Sequence, residues 1–204
     1  MDSPVVALDV DGVLNALGSA SGRPMQAVLM RDEWVTRLTN PSAAGQVLPI
    51  RLDPDRDGRL IAALEAVGVS IVWCTTWEAA ANEAIGPLLG LGPRDVLAIS
   101  QFARETSSPV AAKIAAIDHH FPERRVLWLD DDAWAARRQW AERADREFLA
   151  PDRESGLTTQ LRLRALRWAL SATGQGPRGA DRLLRDPGPL DCSPREARIL
   201  GAAH

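Results

Sequence analysis

Four apolar residues in a row, Val5-Val6-Ala7-Leu8, lead into two aspartates, Asp9 and Asp11, and then Gly12. A run with no polar face reads as a strand covered on both sides, the kind that occurs in parallel sheets under helices. The carboxyl end of such a first strand is where an open α/β sheet places its chemistry. The pattern returns at Val126-Leu127-Trp128-Leu129, which runs into Asp130-Asp131-Asp132. Between the two lies Lys113, the only lysine among 24 basic residues. Two acidic strand ends and one lone lysine point to a metal-dependent phosphoryl-transfer site.

The intervening chain supplies the rest of an alternating α/β domain. Val69 to Cys74 reads as a second buried strand that ends at Thr75-Thr76-Trp77. Before it, Leu60, Ile61, Leu64 and Val67 follow a helical spacing over 58–67. Residues 78–89 read as a helix, 96–99 as a short strand, and 109–120 as a helix with Ser108 as N-cap and Pro109 at its first position. A strand over 126–129, a helix over 133–144, a strand over 147–149 and a closing helix over 158–171 complete the series. Alternation of this kind calls for a Rossmann-like parallel sheet of about five strands with helices on both faces.

Residues 13–57 break the rhythm. Gln26 to Met30, Trp34 to Leu38 and Val47 to Leu52 alternate as strands do, so this stretch reads as a small β-rich insert of one or two hairpins above the first strand. Residues 174–204, rich in Gly, Pro, Arg and Asp, read as a disordered tail, leaving 1–173 as one domain.

Composition excludes some classes. A net charge of −3 argues against a general nucleic-acid or membrane binder. No stretch approaches the ~18 apolar residues of a membrane span. Met1-Asp2-Ser3-Pro4 lacks the basic start of a signal peptide. Cys74 and Cys192 are too few for a disulfide framework, so the expected compartment is the cytoplasm. Nothing in the sequence sets the oligomeric state.

Each chemical signal has a duller reading beside it. Asp9 and Asp11 can bind Mg²⁺, or one can attack phosphorus while the other moves a proton; alternatively Asp11-Gly12 merely turns the chain. Thr75 and Thr76 offer a phosphate cradle of hydroxyls and N–H groups, or only a helix cap. Lys113, one turn into its helix, can neutralise a phosphoryl group, or lie solvated on the surface. Asp130, Asp131 and Asp132 repel one another unless a cation sits among them, although Asp132 can also cap the next helix. Asp53-Pro54-Asp55-Arg56-Asp57-Gly58 imitates the start of an EF-hand loop, but Leu64 falls where a bidentate Glu is required. The stretch therefore reads as a polar loop with Asp57 as N-cap.

His119 and His120 read as structural, and Cys74 as a buried thiol. The seven tryptophans, at 34, 73, 77, 128, 134, 140 and 168, mostly fall at core spacings. Trp34 in the insert and Trp77 beside the threonines are the exceptions, each placed to stack on a base or ring. Arg162, Arg164 and Arg167 read as a solvated helix face.

Taken in order, Leu8-Asp9-Val10-Asp11-Gly12-Val13, a strand ending in Thr75, Lys113, and a strand ending in Asp130-Asp131 resemble the haloacid dehalogenase (HAD) superfamily over about residues 5–172. Val72-Trp73-Cys74-Thr75-Thr76-Trp77-Glu78, Trp128 to Asp132 and Gly156-Leu157-Thr158 are similar to the branch that includes the HAD domain of Swiss army knife RNA-repair proteins.

The resemblance implies that Asp9 is a nucleophile forming an aspartyl-phosphate and Asp11 the general acid/base. It implies that Thr75 holds phosphoryl oxygens and that Lys113 steadies the charge. Asp131 would ligate Mg²⁺ with Asp9 and the backbone carbonyl of Asp11, supported by Asp130. Thr76, Trp77 and Trp34 are the candidate substrate contacts. An aspartate at position 11 suits phosphate-ester hydrolysis, since an alkoxide leaving group needs an acid there. Only 38 positions separate Thr75 from Lys113, so the insert at 13–57 is the one sizeable candidate lid. The expected substrate is a phosphorylated small molecule, a nucleotide or a nucleic-acid end. A non-catalytic binding or regulatory protein on the same scaffold remains the alternative from another class.

Overall fold

A computed structural model describes residues 2–34 and 44–175. Five parallel strands form the sheet: β1 (Val5–Leu8), β4 (Ser70–Trp73), β5 (Asp95–Val96), β6 (Val126–Leu129) and β7 (Arg146–Leu149), in the order β5-β4-β1-β6-β7. This is the expected α/β architecture. β1 is central, and its Leu8 lies level with Trp73 on one side and Leu129 on the other. The strands that carry the acidic residues are therefore neighbours that end at one height.

Every residue of β1 and β6 is buried, and alternate side chains feed two separate cores. Val6, Leu8, Ile71, Trp73, Leu127 and Leu129 pack under α1 (Pro54–Ala66) and α4 (Thr159–Ala172). Val5, Ala7, Val72, Cys74, Val126 and Trp128 pack under α3 (Pro109–His120) on the other face. Leu60, Ile61 and Leu64 of α1 are each 1 % exposed, and burial of that extent stabilises by about 1.5–3 kcal/mol per side chain. Ser108 caps α3 as expected, accepting from Ala111 N at 3.2 Å behind Pro109. Thr158 caps α4 in the same way, accepting from Leu161 N at 3.3 Å.

The insert contains one antiparallel hairpin, β2 (Met25–Leu29) with β3 (Val47–Arg51). The alternation expected over Trp34 to Leu38 lies, past Trp34, outside the described residues, as does Arg37; so does the tail beyond Gln175. Among the described residues no helix is long and apolar enough to cross a membrane.

Several local expectations are corrected. The helix expected over 78–89 is a series of turns with a π segment at Ala81–Ile85 and a 3₁₀ turn at Pro87–Leu89. Asn82 explains the wide winding. Its Oδ1 accepts from Trp73 Nε1 and from Arg94 N, and its Nδ2 donates to Arg94 O, which pulls this turn onto the sheet edge. The strand expected over 96–99 shrinks to Asp95–Val96, and Ile99–Phe102 forms a short helix, α2. The helix expected over 133–144 is only a 3₁₀ turn, Ala133–Arg137, in which Ala133 and Ala136 are buried three residues apart, matching that period.

Asp57 is not an N-cap. Asp53 is, accepting from Arg56 N at 3.2 Å, and Asp57 lies in the helix with no exposure at all. Its Oδ1 accepts from Arg162 Nη2 at 2.7 Å, and its Oδ2 from Arg23 Nη1 at 3.0 Å. Arg162 is thus buried, contrary to the solvated face expected for it, whereas Arg164 and Arg167 are exposed. Arg23 also donates to Leu14 O and Leu157 O, joining the insert, α1 and the loop before α4.

Candidate active site

The site forms one residue beyond the level line of the sheet. Asp9 follows β1 and is 4 % exposed; Asp130 follows β6 and is fully buried. Lys113 reaches them from α3, its Nζ donating to Asp9 Oδ2 at 2.8 Å and to Asp130 Oδ2 at 2.7 Å. A buried lysine held between two carboxylates is no solvated surface charge. Burial opposes its ammonium, but Asp9 and Asp130 outweigh burial and hold its pKa above the usual range. Burial, and then the Asp9 charge, raises the Asp130 carboxyl against the pull of Lys113.

Asp131 is the third carboxylate. Among the described residues, Asp9, Asp130 and Asp131 bring oxygens within 4.8 Å of one another, close enough to share a cation. Burial first, then the charges of Asp9 and Asp132, raises the Asp131 carboxyl. Arg153 forms an ion pair with it, Nε lying 3.4 Å from Oδ2 on a largely exposed side chain. Three carboxylates around one ammonium leave negative charge unmatched. All-oxygen donors of that charge fit Mg²⁺, a hard cation. Asp9 and Asp130 each give one oxygen to Lys113 and the other to a backbone N–H, Val10 N at 2.8 Å and Asp132 N at 2.9 Å, and Asp130 is the more deeply buried of the two.

Gly12 is required twice over. Its φ is +73°, and a Cβ there would lie 2.5 Å from Asp131 Cγ. The turn after Asp11 can only close against Asp131 if that position has no side chain.

Asp11 stands apart from the cation cluster. Its Oδ1 accepts from Asn15 Nδ2 at 2.7 Å and its Oδ2 from Trp77 Nε1 at 2.9 Å. Burial, then the Asp9 charge, raises its pKa, while these two hydrogen bonds pull the other way. A carboxyl so raised, beside a carboxylate tied to an ammonium, is suited to carry a proton. Its carboxylate is not among the converging oxygens of Asp9, Asp130 and Asp131.

Asn15 was not legible as a site residue. It is 3 % exposed, and its Oδ1 accepts from Arg51 N at 2.8 Å, so one amide joins Asp11 to the end of β3. Glu78 was missed as well. It is the one non-glycine described with positive φ, at 46°, directly after Thr75-Thr76-Trp77, and its Oε1 accepts from Ser100 N at 2.7 Å. Strain of this kind collects where a loop must hold a set shape.

Thr75 is fully buried, with Oγ1 accepting from Trp77 N at 3.4 Å, and Thr76 beside it is half-buried. The two tryptophans singled out for stacking are both buried. Trp77 is 5 % exposed and committed to Asp11. Trp34 is 6 % exposed, its Nε1 donating to Glu83 Oε2 at 3.1 Å under the Arg31 guanidinium, 4.7 Å from the ring. Trp134, by contrast, is 63 % exposed. Its spacing resembled that of a core residue, and the missing turns of helix after Arg137 removed the partners it would have packed on. His119 packs on Phe102, with ring centres 5.5 Å apart. Cys74 is buried as expected, and burial pushes its thiol up.

No curated protein and no solved structure matches the chain. A family profile does match, over residues 5–161, described as the HAD domain in Swiss Army Knife RNA repair proteins. The match runs from the start of β1 into α4, so it spans the five-stranded sheet, the insert and the Asp9, Lys113 and Asp131 cluster. The chain belongs to the family of HAD domains found in Swiss Army Knife RNA repair proteins, whose members have a phosphatase-type hydrolase character.

Proposed function

We propose that this chain is a Mg²⁺-dependent phosphomonoester phosphatase that works through an aspartyl-phosphate on Asp9 and acts on nucleotides or nucleic-acid ends. The observation that carries the reading is Lys113 Nζ bridging Asp9 and Asp130 at 2.8 and 2.7 Å, with Asp11 held separately by Asn15 and Trp77. One carboxylate is paired with a cation and the other is hydrogen-bonded by neutral donors. That is the division a nucleophile and a proton carrier need.

In the first half-reaction an Asp9 oxygen attacks phosphorus. The P–O bond to the leaving group breaks, and Asp11 gives its proton to the departing alkoxide. In the second half, Asp11 takes a proton from water as the water oxygen attacks the phosphorus of the aspartyl-phosphate. The bond to Asp9 breaks, its carboxylate is restored and phosphate leaves. Lys113 stays protonated throughout and balances the charge on Asp9 and the phosphoryl oxygens. Thr76 and the N–H groups of the loop after β4 hold those oxygens, with Thr75 shaping the loop from beneath. Asp9 and Asp131 would hold Mg²⁺, which would supply positive charge to the phosphoryl group as it is transferred.

The RNA-repair description of the family favours nucleic-acid ends over small metabolites. The complete acid set weighs against a purely binding role, because a binder needs no nucleophile. Metal-dependent release of phosphate from p-nitrophenyl phosphate tests the reaction. A panel of phosphorylated metabolites, nucleotides and 3′- or 5′-phosphorylated oligonucleotides tests the substrate. No phosphate released from any of them with Mg²⁺ present would refute the proposal.

A further inference from the structure

Six of the seven tryptophans are at most 7 % exposed, and Trp134 stands out at 63 %. Tryptophan is enriched where an apolar ring face meets a partner while its polar edge stays wet, so what stands beside this ring decides its use. Trp134 forms one side of a cleft of about 610 Å³ between α3 and the 3₁₀ turn after β6. That volume is in the range of small-molecule sites, about 300–1,000 Å³. Val110 and Ile114 contribute apolar surface, and Ser108, Asp132 and Gln139 bring polar groups.

We infer that this cleft receives the nucleobase adjacent to the phosphate being removed, with Trp134 as the stacking surface; the inference rests on the nucleotide reading above. Position is the first argument. Asp132 N donates to Asp130 Oδ1, and Asp130 shares Lys113 with Asp9, so the cleft wall is tied directly to the phosphoryl site. Asp132 thus belongs both to the cleft lining and to the loop that carries Asp130 and Asp131, so the cleft is the nearest recess on that side for a group attached to the phosphoryl oxygen.

Charge is the second argument. No arginine, lysine or histidine lines the cleft, and Asp132 does. A second phosphate is disfavoured there, whereas a neutral ring is not. Stacking on one aromatic face accepts every base, which suits an enzyme that repairs ends of arbitrary sequence. The third argument is hydrogen bonding. Ser108 Oγ accepts from Ala111 N, which leaves its proton to donate. Gln139 Nε2 donates to Asp118, which leaves its carbonyl oxygen as an acceptor. Asp132 adds a second acceptor, suited to an exocyclic amine on a base edge.

Trp134 is the one tryptophan that acrylamide can reach, so fluorescence quenching reports on it without turnover. The probes are adenosine 5′- and 3′-monophosphate against ribose 5-phosphate, with EDTA present to prevent hydrolysis. Wild-type protein should show a quenchable component that Trp134→Phe reduces, and either nucleotide should protect it while ribose 5-phosphate does not. In turnover with Mg²⁺, Trp134→Ala should lower the preference for nucleoside monophosphate over ribose 5-phosphate about tenfold, mainly through KM, as expected for one base–aromatic stack. Equal protection by both kinds of ester, or a preference unchanged in Trp134→Ala, overturns the inference and leaves the phosphatase reading standing. Protection that rises with protein concentration alone assigns Trp134 to a contact between copies and also overturns it. Absence of all turnover would sink the phosphatase reading instead, and the quenching result would still decide what the cleft binds.

Discussion

The indole N–H of Trp77 donates to Asp11 Oδ2 at 2.9 Å across 66 positions of sequence. The loop that follows β4 therefore holds the carboxyl proposed to move protons. Trp77→Phe keeps the ring in its buried place and removes that one donor. The expected result is a loss of about ten- to a hundredfold in kcat, the scale at which misplacement by an ångström is felt. The hydrogen bond lowers the Asp11 pKa, so its loss raises it further. Asp11 must be protonated to give a proton to the leaving group and ionised to take one from water, so both limbs of the pH–kcat profile should move to higher pH. Unmoved limbs with normal kcat would show that Asp11 does not act there.

Asp9→Asn should remove turnover by at least about a thousandfold, because an amide cannot attack phosphorus. Lys113 retains Asp130 at 2.7 Å, so the melting temperature should change little. Near-normal hydrolysis of p-nitrophenyl phosphate by this variant would rule out an aspartyl-phosphate on Asp9.

Mg²⁺ added to EDTA-treated protein should raise the melting temperature, by the equivalent of about 2.7 kcal/mol at a hundredfold excess over Kd. Asp131→Asn should remove most of that rise. A rise of equal size in the variant would mean that the ion binds elsewhere.

Asp57→Ala would leave the Arg162 and Arg23 guanidiniums buried without their shared carboxylate. Breaking a buried pair in this way costs about 3–5 kcal/mol. Urea denaturation should report a loss of that order; a loss below about 1 kcal/mol, the level of an exposed ion pair, would contradict the buried network.

Trp34→Phe should release the insert from Glu83 at a cost of about 1 kcal/mol, the net value of one hydrogen bond. If the insert selects substrates, KM for oligonucleotide ends should rise more than KM for p-nitrophenyl phosphate. Equal rises for the two would make the insert a support for the fold alone.

What the sequence showed and what it hid divide along physical lines. The apolar runs at Val5–Leu8 and Val126–Leu129 announced the central strands because a strand covered on both faces has to be apolar throughout. Asp9, Lys113, Asp130 and Asp131 were legible because each is a charged residue at a strand end or a helix start. Asn15 was not, since an asparagine four residues past a turn carries no periodic signal, and its value lies in touching Asp11 and Arg51 together. Asp57 and Arg162 lie 105 positions apart, and no local pattern discloses such a pair. The tryptophans misled for a related reason. Spacing tells which side of a helix a residue occupies, but the chain around Trp134 is a single 3₁₀ turn whose buried face is taken by Ala133 and Ala136.

The level alignment of Leu8 with Trp73 and Leu129 has a bearing on how such a protein changes over time. The main-chain ladder sets three strand ends at one height, and side-chain replacement in the surrounding loops leaves that ladder in place. Reaction and recognition are thus inherited through different parts of the chain. The hairpin after β1 and the turn after β6 can lengthen, shorten or swap residues, and a lineage can exchange one phosphate ester for another while its nucleophile stays where it was.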